Sequence, residues 1–145
     1  MKSEETDRQE EKFQKIIQRD KPPYYHLLGI DILDVKLGFA KLRMNYDSKL
    51  TNPYGYVNGG FFSVLADAAM ACALLGMTEE NRRLITLEYK INLLAPFREG
   101  FLISDARIVH LGKETAVGDV EIRNHKDTLV AKGLITYAVR GKGNR

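Results

Sequence analysis

The stretch YVNGGFFSVLADAAMACALLG, residues 56 to 76, holds a single charged side chain, Asp67, within an otherwise apolar run. A carboxylate there suits general-base or nucleophilic work, because loss of hydration disfavours its charged form. Read as a helix, the run sets Ser63, Val64, Met70, Ala71 and Leu74 on the face of Asp67; these are small or apolar and include no cation. The competing reading of Asp67 is a hydrated residue on an exposed helix face. Upstream, Asn58 stands where a capping side chain is preferred, and Gly59 and Gly60 follow it. First-turn N–H groups are unpaired and lie at the positive end of the helix dipole, so the Gly59 amide is a candidate donor to a carbonyl oxygen gaining negative charge. Glycines without a Cβ let a ligand approach that backbone closely, although a flexible turn explains them equally well.

Other chemistries lack their residues. There is no GxxxxGK[ST] phosphate loop, no GxGxxG, no HExxH and no paired CxxC. His26, His110 and His125 lie far apart and share no ligand spacing, so neither a metal nor a cofactor is expected. Ser63 has no GxSxG surroundings and reads as a polar helix residue. Twenty-two basic and 19 acidic residues give a net charge of +3 spread along the chain, which does not mark a nucleic-acid surface. Arg82 with Arg83 and the tail RGKGNR are local exceptions, read as solvated ends or as help for a phosphorylated ligand. The lone cysteine, Cys72, cannot pair within the chain, and the charged N-terminal stretch has no apolar signal core. The apolar run is interrupted by Asp67 and too short to span a bilayer. These features lead to the expectation of a cytoplasmic protein with no membrane span.

The elements that must position Asp67 and Gly59 can be read from periodicity. The length of 145 residues suits one domain, and 44% apolar with 28% charged residues is ordinary globular composition. Residues 4 to 19 form a polar helix with Phe13, Ile16 and Ile17 on one side, ended by KPP at 21 to 23. GIDILDVKLGFAKLRMNY alternates as two strands of a hairpin turning at Gly38. After the apolar helix come four strand-like runs, RLITLEYKINLLAP, FLISDARIVHLG, TAVGDVEIRNH and TLVAKGLITYAV, with connections short enough to predict an antiparallel meander. A long apolar helix between a hairpin and a meander satisfies its surface when the sheet curls around it, which is an α+β arrangement. The expected division is a helical appendage at 1–22, one domain at 23–140 and a basic tail at 141–145.

Eight residues at a rise of about 1.5 Å separate Gly59 from Asp67 by roughly 12 Å along a helix axis, too far to address one carbon together. Two copies with antiparallel helices about a two-fold axis would bring Asp67 of one near Gly59 of the other, predicting a homodimer with two composite sites.

Taken together, the loop Asn52, the triplet Asn58-Gly59-Gly60, Asp67 within the apolar helix and the element order over residues 26 to 140 resemble the hotdog-fold acyl-CoA thioesterases, in particular the phenylacetyl-CoA thioesterase-like branch. The resemblance implies a sheet wrapped around a central helix, dimers that can pair into tetramers, and hydrolysis of an acyl-CoA without a cofactor. It implies that the Gly59 amide holds the thioester carbonyl while Asp67 of the other subunit activates water or attacks directly. Asn52 matches the loop asparagine that places water or substrate, and Thr86 matches a hydroxyl residue that binds the same water. Asn58 replaces the usual histidine; its amide can donate and cap, but it cannot take a proton near neutral pH. That departure keeps open a non-catalytic acyl-CoA or fatty-acyl binding protein, and it weighs against a 3-hydroxyacyl dehydratase. Tyr54, Tyr56, Phe61 and Phe62 lie near the expected acyl pocket and also read as core packing.

Overall fold

The computed structural model describes residues 3–141, so the expected basic tail falls outside it apart from Gly141. Along the chain run α1 (Glu4–Gln18), α2 (Pro23–Leu28), β1 (Ile30–Lys36), β2 (Phe39–Asn45), a 3-10 turn (Ser48–Leu50), α3 (Gly60–Leu75), β3 (Arg83–Leu93), β4 (Phe101–Leu111), β5 (Thr115–Asn124) and β6 (Leu129–Arg140). Phe62, Leu65, Ala66, Ala68, Ala69, Met70, Cys72, Ala73 and Leu74 of α3 are all buried, covering more of its circumference than one apolar stripe. Such a helix needs cover on several sides, and all six strands pack against it.

The six strands form one antiparallel sheet in the order β1-β2-β4-β5-β6-β3. This corrects the expected four-strand meander: β3 pairs with β6 at the far edge, and β2 pairs with β4. The segment between β3 and β4 contains Pro96 and is too long for a tight hairpin, so it carries the chain from the sheet edge back to its middle. The hairpin of β1 and β2 turns at Gly38, whose φ of 71° is the left-handed conformation that glycine adopts without strain.

The N-terminal region holds one helix more than expected. α1 ends at Gln18, with Arg19 extended before the prolines are reached, and Pro23 starts α2, because proline's fixed φ suits the first helical position. Gly29 closes α2 in the left-handed conformation. Tyr25 of α2 is buried, with its hydroxyl 3.4 Å from Cys72 Sγ on α3. Burial pushes the ionisation of both groups above their ordinary range. Ile16 of α1 joins the same core.

One glycine inside a strand marks a close approach of sheet to helix. A Cβ built on Gly118 of β5 would overlap Met70 Sδ on α3. Gly118→Ala should therefore lower stability by about 1–3 kcal/mol through overpacking, read as a lower urea midpoint; an unchanged midpoint would show that Met70 has room to move.

Candidate active site

The start of α3 is built by a short loop. Asn52 Oδ1 accepts the N–H groups of Tyr54 (3.0 Å) and Tyr56 (3.2 Å), and Thr51 bridges Val57 across the loop. The carbonyl oxygen of the Asn52 amide therefore holds the loop, while its Nδ2 makes no hydrogen bond among the described residues. Asn58 Oδ1 accepts the Gly60 N–H at 2.8 Å, and its main-chain oxygen accepts from Phe61 at 3.0 Å. Asn58 thus caps the helix from its start. Gly59 already has helical dihedrals, φ −58° and ψ −24°, yet its N–H has no acceptor among the described residues. That free amide sits at the positive end of a 16-residue apolar helix.

Asn52 and Gly59 share a cleft of about 300 Å³ with Tyr56, Val57, Phe62, Leu93, Leu94, Ala95 and Pro96. Asn58 faces a different groove of about 410 Å³, with Lys49, Leu50, Thr51, Gly60, Phe61 and Val64. Of the four aromatics expected near an acyl pocket, Tyr56 and Phe62 line the cleft, Phe61 lines the groove and Tyr54 stands in solvent.

Asp67 lies two turns along α3, half-buried. The expectation of an acid surrounded by small and apolar groups needs correction, because two strands bring hydroxyls to it. Thr86 Oγ1 of β3 donates to Asp67 Oδ1 at 2.8 Å, and Tyr137 of β6 donates to the same oxygen at 2.8 Å. The Tyr137 hydroxyl also reaches the Asp67 main-chain oxygen at 3.1 Å. Oδ2 receives no hydrogen bond among the described residues. Burial raises the Tyr137 phenol above its ordinary value, and the Asp67 charge adds to the rise despite an opposing contribution from Thr86. Tyr24 of α2 is also pushed up, first by burial and in part by the charge of the same carboxylate.

The expected residues therefore fall into two groups within one chain: Asn52 with Gly59 at the helix start, and Asp67 with Thr86 further along. The strand β3 spans the same gap, since a Cβ on Gly59 would meet Leu93 while Asp67 meets Thr86. Tyr137 escaped the sequence reading, because nothing in LITYAV distinguishes a tyrosine facing a carboxylate from one packed in a core. Among the described residues no three His, Cys, Asp or Glu side chains converge as metal ligands.

A curled antiparallel sheet around a central apolar helix that carries one carboxylate defines a hotdog-fold protein. The profile of the thioesterase superfamily matches residues 54–131, and the chain belongs to that superfamily, a thioester hydrolase by class. It is similar to the 1,4-dihydroxy-2-naphthoyl-CoA hydrolase of Listeria monocytogenes, 30% identical over 115 residues that cover 79% of this chain and 94% of the relative. It is also similar to the acyl-coenzyme A thioesterase PaaI of Escherichia coli, 33% identical over 119 residues covering 81% and 79%. The solved PaaI structure aligns with a TM-score of 0.80 and 27% identity over 94% of this chain and 96% of that one. A Streptococcus mutans protein solved with acetyl CoA aligns with a TM-score of 0.72 and 30% identity, over 78% and 90%.

Removing the cap should be measurable apart from any activity. Asn58→Ala should lower stability by about 1 kcal/mol and Asn58→Asp should keep most of it; equal urea midpoints for all three proteins would contradict the capping role.

Proposed function

We propose that the protein hydrolyses an acyl-CoA thioester to the free acid and CoA at composite sites shared by two copies. The observation that carries the reading is the separation of a free helix-start amide from a hydroxyl-held carboxylate on one chain. On β3 their contacts, Leu93 and Thr86, are seven positions apart, roughly 20 Å at about 3.3 Å per residue. β3 is an edge strand, and Leu87 (56%) and Tyr89 (51%) on it are exposed. Long apolar edges are templates for another strand. Antiparallel pairing of two β3 edges centred near Lys90 would set Thr86 of one copy across from Leu93 of the other, bringing Asp67 of the first toward Gly59 of the second.

In that arrangement the thioester carbonyl oxygen accepts from the Gly59 N–H, which strengthens its hold as negative charge grows there. Asn52 Nδ2 supplies a second donor from the same cleft. Asp67 Oδ2 takes a proton from water as the water oxygen attacks the carbonyl carbon; the C–S bond then breaks and CoA leaves, taking up the proton. Thr86, whose proton already goes to Oδ1, retains lone pairs that can accept from the same water. Direct attack by Oδ2 would break the C–S bond, release CoA as the thiolate and give an acyl-Asp67 anhydride, which water opens to the free acid and the carboxylate, its released proton neutralising the thiolate. The CoA-thioester relatives and the neighbour solved with acetyl CoA support this substrate class.

Release of free thiol from a panel of acyl-CoAs tests the reading. Asp67→Asn should reduce kcat by about 10²- to 10⁴-fold; unchanged turnover would remove Asp67 from the chemistry. Tyr89→Asp should convert a dimer into a monomer by sedimentation and abolish turnover with it, whereas an active monomer would exclude a shared site. The second reading, a non-catalytic acyl-CoA binder, rests on Asn58 in place of the family histidine. It would show as a raised melting temperature with acyl-CoA and no cleavage.

A further inference from the structure

The two hydroxyls on Asp67 converge on one oxygen. Thr86 and Tyr137 are direct cross-strand partners on β3 and β6, so a single rung of the sheet delivers both donors to the helix. The ladder shifts register between Thr86 and Glu88, immediately beyond that rung. Such a bulge re-aims side chains locally. The Tyr137 side chain is 3% exposed, and its hydroxyl bonds both Oδ1 and the main-chain oxygen of Asp67, clamping the carboxylate to its own helix.

Resting on the hydrolase reading, we propose that Tyr137 is a positioning residue that, together with Thr86, confines both donors to Oδ1 of Asp67 and so fixes Oδ2 as the oxygen that meets water or thioester. The phenol is too buried to touch substrate and acts through the carboxylate. It must remain protonated to do so. The titratable groups facing it are Asp67 on α3 and Tyr24 on α2; burial and the Asp67 charge both hold the phenol in its neutral, donating form. With both hydroxyls on one oxygen, the carboxylate cannot rotate to exchange its oxygens without losing both bonds. The reacting oxygen is thereby oriented before substrate arrives.

Tyr137→Phe deletes the O–H and keeps the ring. The expected result, read well below the melting transition, is a kcat about 10- to 100-fold lower with KM close to that of the parent, because orientation is lost and ground-state binding is not. The split between kcat and KM separates orientation from packing, because a packing role would lower the melting temperature and the folded fraction without changing kcat per folded protein. Cleavage by the parent with full kcat in Tyr137→Phe would overturn this inference alone. No cleavage of any thioester by the parent would overturn the hydrolase reading and this inference with it.

Discussion

A helix with almost no polar face has to be enclosed, and the architecture follows from how α3 is covered. Six antiparallel strands pack on it, and they come close enough at Gly118 to leave no space for a Cβ against Met70. Leu65, Ala68, Ala69, Met70, Cys72, Ala73 and Leu74 are fully buried, and a leucine-sized side chain contributes about 1.5–3 kcal/mol by leaving water. A carboxylate in such a helix is tolerated where hydrogen-bond donors meet it, and Thr86 and Tyr137 are those donors. The same enclosure therefore creates the carboxylate's setting and fixes its orientation.

The other half of the proposed chemistry comes from what the helix start leaves unused. Asn58 satisfies the Gly60 N–H and Asn52 satisfies two loop N–H groups, so the loop is tied down by side chains. The Gly59 N–H and Asn52 Nδ2 remain without acceptors among the described residues, and the two residues line one cleft. Unpaired donors on a fixed backbone stabilise charge without reorganising first. The N-terminal helices contribute from the other side, where Tyr25 packs against Cys72 and Ile16 joins the core.

Much of this was legible in the chain. The apolar run around Asp67 predicts α3 because its composition admits no amphipathic alternative, and alternation predicts each strand within a few residues. Local pattern does not carry strand order, so β3 was expected beside β4 when it pairs with β6. Proline at 22 and 23 reads as a stop, and its equal fitness as a helix start hid α2. Thr86, 19 positions from Asp67, entered only through the family resemblance, and Tyr137, 70 positions away, was hidden altogether. Periodicity shows which face a side chain is on, and it cannot show which distant hydroxyl shares that face.

Complementation between two inactive variants tests the shared site most directly. Gly59→Pro removes the amide hydrogen at a φ of −58° that proline accepts, and Asp67→Asn removes the carboxylate. If each site joins the amide of one copy to the acid of the other, refolding the two proteins together should restore about a quarter of parental turnover, since half of the dimers are mixed and each mixed dimer has one intact site. A mixture as inactive as either variant alone would contradict the account, because a site built within one chain is broken in both.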